Sequence, residues 1–134
     1  MTRALIVFVL DEREFGIEIA HVRGIERPVR ITRVPRSRGK LEGIINLRGQ
    51  LLPIVDLRTR LGLGRVAATK ASRIVVVERA GSRVGIVVDA VSEVMRVAPE
   101  RIQRAGGTIE AGGRTIELLD VAEVFAPALA KDRT

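Results

Sequence analysis

The feature that most narrows the fold of this chain is that it contains the same pattern twice. The run LIVFVL (5–10), a polar turn and FGIEI (15–19) read as a β-hairpin. RIVVVER (73–79), the turn AGS and RVGIVVD (83–89) read as another of the same kind. Laying Gly16 on Gly85 pairs Phe15 with Val84, Ile17 with Ile86, Ile19 with Val88, Val22 with Val91 and Ile25 with Val94. Later in each half, GQLLPIVDLRTRL (49–61) lies over GRTIELLDVAEVF (113–125), matching Gly49 with Gly113, Asp56 with Asp120 and Leu61 with Phe125. The offset is 69 residues at the hairpins (85 − 16) and 64 at the aspartates (120 − 56), so the second copy is shorter in its middle.

Each copy therefore carries a hairpin, a connector, a strand, an aspartate and a short helical turn. Phe15, Ile17 and Ile19 fall on one face at period two, so one side of the first hairpin is predicted to be buried. A single copy is too small to bury its sheet, and the pattern predicts two open β-barrels packed across a shared apolar core. Asp120 and Glu123 have capping-box spacing, and Asp120 is expected to start a helix, with Asp56 doing likewise. The polar stretch GRVAATKAS (64–72) reads as the linker.

A chain of 134 residues can fold as one unit without staples. With no cysteine, disulfides, thiolate metal sites and a cysteine nucleophile are excluded, and a reducing cytoplasm fits. The run ALIVFVL (4–10) is too short to span a bilayer and is followed by DERE, so it reads as a buried strand and not as a leader or anchor. A formal charge of +7, nearly all from arginine, favours acidic partners without choosing among nucleic acid, membrane and protein.

Chemistry beyond binding finds little support. His21 is the only histidine, and no spacing pattern around it builds a metal site or a nucleophile–base pair. Asp11, Glu12 and Glu14 are crowded enough to hold a cation weakly, or they form a solvated turn. GLGRVA (62–67) has the spacing of a dinucleotide-binding loop but lacks the strand before it and the helix after it, so it reads as a helix stop and linker. The stretch RGIERPVRITRVPRSRGK (23–40) sets seven cations against Glu26, with no tyrosine or tryptophan in the chain and no phenylalanine in the stretch to stack on bases.

The central stretch GIINLRGQLLPIVDLRTRLG (43–62) resembles the signature of the CheW family, cytoplasmic scaffold proteins that couple chemoreceptors to the histidine kinase CheA. A strand ending in Asn-Leu-Arg-Gly, an apolar strand, a proline and Asp-Leu-Arg are present as Asn46, Leu47, Arg48, Gly49, Pro53, Asp56, Leu57 and Arg58. FGIEIAHV, ITRVP, VGIVVDAVSEV and ELLDVAEVF extend the likeness over nearly the whole chain. Two departures stand out. Gly24 occupies a place where the family commonly has a glutamate, and QRAGGTIEAGG (103–113) replaces a usually longer stretch.

The resemblance implies an all-β fold with short helices, two SH3-like β-barrel lobes around a common core, the second lobe shortened. As one CheW-like domain over 1–134, it implies lobe one at roughly 14–66 and lobe two at roughly 67–118, with terminal segments exchanged between them. It implies a non-enzymatic scaffold with no cofactor and no metal, whose groove receives the helical hairpin tip of a chemoreceptor at Arg48 and its turn neighbours Asn46 and Gly49. Val22 and Ile25 are expected in the same groove, because they continue the inward pattern of the second strand past Ile19. A CheA-type kinase is the second implied partner, on the shortened lobe and through residues the sequence does not identify, with other CheW-like proteins a third. Arg48 as a mere cap of neighbouring carbonyls is the alternative at that residue. An accessory coupler with weak kinase contact, or a basic β-barrel that binds nucleic acid, are the alternatives for the whole chain.

Overall fold

The computed structural model describes residues 2–33, 41–64, 66–102 and 107–130. The second half of the basic stretch (34–40), which includes the end of ITRVP, and residues 103–106 of the shortened middle lie outside the described residues.

Among the described residues, eleven strands and two α-helices fall into the two copies of the repeat. The first copy runs β1 (Arg3–Leu10), β2 (Arg13–Glu18), β3 (Val22–Glu26), β4 (Thr32–Arg33), β5 (Leu41–Leu47), β6 (Gln50–Val55) and α1 (Leu57–Arg60). The second runs β7 (Arg73–Arg79), β8 (Ser82–Val88), β9 (Ala90–Val97), β10 (Thr108–Ala111), β11 (Arg114–Leu118) and α2 (Val121–Ala130). The fold is all-β with short helices, in two sheets ordered β3-β7-β8-β6-β5-β4 and β10-β11-β2-β1-β9.

Each sheet takes its central hairpin from the other copy. Hairpin β7–β8 sits between β3 and β6, while β1–β2 sits between β9 and β11. The boundaries expected above follow the halves of the sequence; the strands of one sheet come from 22–88, and those of the other from 3–18 and 90–118. The exchange is sealed by two parallel pairings, Ile54 opposite Gly85 and Leu118 opposite Gly16. Glycine is needed at both places: a Cβ on Gly85 would lie 2.8 Å from Ile54 and 2.9 Å from Ile74, and one on Gly16 3.2 Å from Ile116 and from Leu5.

Burial follows the same plan. The largest apolar cluster joins Phe8 and Phe15 of one sheet to Val77 and Ile86 of the other, with Val124 and Phe125 of α2. Each sheet also curls over its own cluster: Ile45, Leu52, Ile54, Ile74 and Val76 in one, and Leu5, Val97, Ile109 and Leu118 in the other. At ~25 cal/mol per Å² of apolar surface removed from water, this shared and paired burial is the main stabilising term. Both predicted caps form, with Asp56 Oδ1 accepting from Thr59 N at 2.9 Å and Asp120 Oδ1 from Ala122 N at 3.0 Å.

Two expectations change in detail. Ile19 leaves the buried face of its hairpin, because β2 stops at Glu18 and residues Ile19–His21 form a 3₁₀ turn that leaves Ile19 44% exposed. The second copy is shortened at the edge of its sheet. β4 pairs with β5 at Thr32–Ile44, and among the described residues β10 has no counterpart strand on its outer side.

Candidate functional site

The loop joining β5 to β6 contains only Arg48 and Gly49, with Leu47 opposite Gln50. A two-residue hairpin loop whose twist suits its strands needs left-handed backbone at both positions. Arg48 has φ 51° and Gly49 φ 86°. Gly49 adopts this freely, whereas for an arginine it costs about 1 kcal/mol. Asn46 Oδ1 helps to hold the turn by accepting from Gly49 N at 2.9 Å. An arginine kept in a strained tip, where an asparagine would sit with less strain, points to a use for its side chain.

The Arg48 side chain is 73% exposed and is aimed back across the open side of its sheet. Nη2 donates to Glu26 Oε2 at 3.1 Å and Nη1 to Glu26 Oε1 at 3.4 Å. Glu26 ends β3, the opposite edge strand, so the pair closes the curled sheet at one corner. Hydrogen bonding to Glu26, with its charge, raises the guanidinium above its ordinary value and fixes it as a cation. At such exposure the pair adds little stability; its effect is to orient the fork.

The other predicted residues lie on β3. A bulge between Val22 and Gly24 shifts the register against β7, so that Val22 lies opposite Val77 and Ile25 opposite Val75. Val75 and Val77 both face the shared core, and directly opposed residues share a face, so the bulge brings Val22 and Ile25 to one side of the strand. Val22 packs half-buried against that core, while Ile25 stays 39% exposed beside Glu26. Asn46, Arg48 and Gly49 thus share one turn, Val22 and Ile25 share one strand face, and Glu26 links the two groups.

Sequence reading missed three residues here. Glu26 does what Gly24 cannot; a shift of two residues keeps a strand position on the same face, and that period was the available signal. Leu51 is 71% exposed opposite Asn46, and the doubled leucine of β6 already required one of the pair to face outward. Arg58, only 12% exposed, gives no local signal. Its Nη1 donates to both oxygens of Asp89 at 3.0 Å and its Nη2 to Asp11 Oδ1 at 2.5 Å. Asp11 is thereby occupied, as is Glu14 by Arg114, and neither is left for the cation site weighed from the sequence.

The profile described as CheW-like domain matches residues 4–128. A probable chemotaxis protein CheW of Rhizobium etli is 41% identical over 101 residues, 75% of this chain and 65% of that protein, so the match spans just under two thirds of the relative's length. Chemotaxis protein CheW of Rhizobium meliloti is 35% identical over 136 residues, covering 92% of this chain and 87% of the relative. The crystal structure of the scaffolding protein CheW from Thermoanaerobacter tengcongensis superposes with a TM-score of 0.84 at 32% identity, over 93% of this chain and 88% of that one.

Proposed function

The chain belongs to the CheW family, and we propose that it is a coupling scaffold which binds the cytoplasmic tip of a chemoreceptor and connects it to a CheA-type histidine kinase. It is not an enzyme; its work is recognition. The observation that supports the receptor-binding reading is Arg48, a strained, exposed and fixed cation held by Glu26 of β3, the edge strand that also carries Val22 and Ile25. A helical tip laid on β3 would cover those apolar groups and meet the guanidinium at the rim. Asn46 and Gly49 act by setting the turn.

Titration of the tip fragment of a chemoreceptor encoded in the same genome tests this. Arg48→Ala should weaken binding by the loss of a charge-assisted hydrogen bond, about ten- to a hundredfold, with melting unchanged. Unchanged affinity in the folded variant would refute it.

Kinase contact is proposed to be weak, since the lobe expected to make it has no described counterpart of β4 beside β10. An affinity in the low micromolar range or better for the kinase's regulatory domain, through that lobe, would show the shortening to be silent. Pairing of Arg23 with Glu78 and of Arg33 with Glu42 tells against the basic stretch as a nucleic-acid surface, and a mobility-shift assay at physiological salt separates the two readings. The proposed setting is the cytoplasm; among the described residues no helix is long and apolar enough to cross a membrane.

A further inference from the structure

One face of the sheet built from residues 22–88 carries a row of charges beyond the pair at Arg48. Glu26 lies opposite Ile74, and Arg83 lies opposite Glu78. Ile74, Val76 and Glu78 follow one another at period two on β7, and directly opposed residues share a face. Glu26, Glu78 and Arg83 therefore all stand on the face that bears the cluster of Ile74 and Val76. Arg23 joins them by pairing with Glu78, and Arg48 by pairing with Glu26. From Ile74 to Glu78 this strip is about 13 Å long.

The strip is layered by charge. The side chains of Arg23, Arg48 and Arg83 are 48%, 73% and 50% exposed, whereas those of Glu26 and Glu78 are 23% and 21% exposed. The carboxylates lie beneath and the guanidinium groups above. Glu26 gives both its oxygens to Arg48, while Glu78 serves Arg23 closely and Arg83 only at 3.8 Å. Among the described residues the strip thus sets three cations against two carboxylates, and Arg83 is the least satisfied of the three. The other sheet has no such layering: Arg13 and Glu117 are 39% and 35% exposed, and Arg114 and Glu93 are both 39% exposed. At the repeat offset of 69, Arg23 and Arg83 fall on Ser92 and Glu14, so the surplus belongs to one lobe alone.

We propose that this strip is an acid-recognition surface, on which Arg83, with Arg23 and Arg48, receives carboxylates from one side of the chemoreceptor's helical tip. The inference rests on the reading of Arg48 as the receptor contact. β3 is an edge strand, so a partner seated along it reaches the arginines on one face and Val22 and Ile25 on the other. The carboxylates beneath orient the guanidinium groups and hold the surplus to a single charge. That surplus suits a carboxylate and is too small for a phosphate backbone, whose binding draws on several neutralised contacts. An acidic partner also meets the guanidinium groups first, which favours the rate of encounter.

The test is calorimetric titration of the same chemoreceptor tip fragment into the full chain and its variants. Arg83→Glu should weaken binding at least tenfold and Arg83→Gln several-fold, and Arg83→Lys should keep most of the affinity. All three should melt like the parent, because Arg83 holds only a long, exposed pair. The loss of affinity with salt should be shallower in Arg83→Gln. Arg3→Gln removes the same charge from the other sheet at nearly the same exposure, 49% against 50%, and should leave binding unchanged. If Arg48→Ala weakens binding while the Arg83 variants leave it unchanged, or if Arg3→Gln weakens it as much as Arg83→Gln, the strip is wrong and the reading of Arg48 stands. If the parent chain does not bind the tip, or Arg48→Ala binds it as well as the parent, that reading fails and the strip falls with it.

Discussion

The two hairpin turns, Arg48–Gly49 and Gly112–Gly113, have the same left-handed backbone, with φ of 51° and 86° in the first and 57° and 79° in the second. Each sheet is closed by a glutamate on its bulged edge strand and an arginine at its hairpin, Glu26 with Arg48 and Glu93 with Arg114. The residues are not repeat partners, since Arg114 corresponds to Gln50 and Glu93 to Gly24. In the second sheet Glu14 of β2 joins as well, and Arg114 is 39% exposed where Arg48 is 73%. One closure is filled by two carboxylates and the other by one. The same geometry thus fills the arginine's donors in one lobe and leaves some to spare in the other, where receptor recognition is proposed.

The largest expected effect separates the two joints at which the chain crosses between its sheets, β8 to β9 and β2 to β3. Arg58→Ala leaves Asp11 and Asp89 facing each other without their cation, which should cost about 2–3 kcal/mol and lower the melting temperature by several degrees. Serine at Ala20 or Ala122, on the opposite joint, should cost under about 0.5 kcal/mol. Equal losses by calorimetric melting would mean that the joints are equally stressed and that Arg58 is no special pin.

Next come the glycines beneath the exchanged hairpins. Gly85→Ala presses on Ile54 and Ile74 at under 3 Å and should destabilise by about 2 kcal/mol. Gly16→Ala meets its neighbours at 3.2 Å, where small shifts relieve the contact, and should cost about 1 kcal/mol. Denaturant midpoints that come out in the reverse order would show that the second sheet, and not the first, is the tighter packed.

These contrasts also mark how far the sequence could be read. The hairpins, the Gly16–Gly85 match, the two aspartate caps and the turn at Arg48 depend on residues within a few positions of one another, and the pattern displays them. The exchange of hairpins is another kind of fact, because alternation in β1 or β7 says which side chains are buried and not against which strand. Arg58 reaches partners 47 and 31 residues away, and such pairing leaves no trace in local spacing. Glu26 was hidden differently. The family position falls at Gly24, while strand period allows the charge to sit two residues on, at Glu26.

A smaller effect tests the two closures against each other. Arg114→Ala removes bonds to Glu14 and Glu93 and should lower the melting temperature slightly, leaving affinity for a chemoreceptor tip unchanged. That is the inverse of the pattern expected for Arg48→Ala. If Arg114→Ala weakened tip binding as much, recognition would be spread over both lobes.

The smallest effect is a dependence on acid, and it too should divide the lobes. Bonding to Arg114 holds the Glu14 carboxyl below its ordinary value of 4.5, and bonding to Arg13 does the same for Glu117. Both glutamates belong to the sheet built on β1, β2, β9, β10 and β11. A carboxyl lowered in the folded state contributes stability that is complete above its unfolded value and is lost as pH falls through the folded one. The contribution should therefore hold near neutrality and fade only below about pH 4.5. Both groups keep part of their surface in water, so the change should appear as local loosening before it appears as unfolding. Methyl signals of Ile109 and Ile116 should broaden or shift at a higher pH than those of Ile45 and Ile54 in the other sheet, and Glu14→Gln should abolish part of the difference. If the two sets of methyls titrate together, the carboxylates of the second sheet carry no separate share of its stability, and the contrast between a filled closure and an open one is confined to neutral pH.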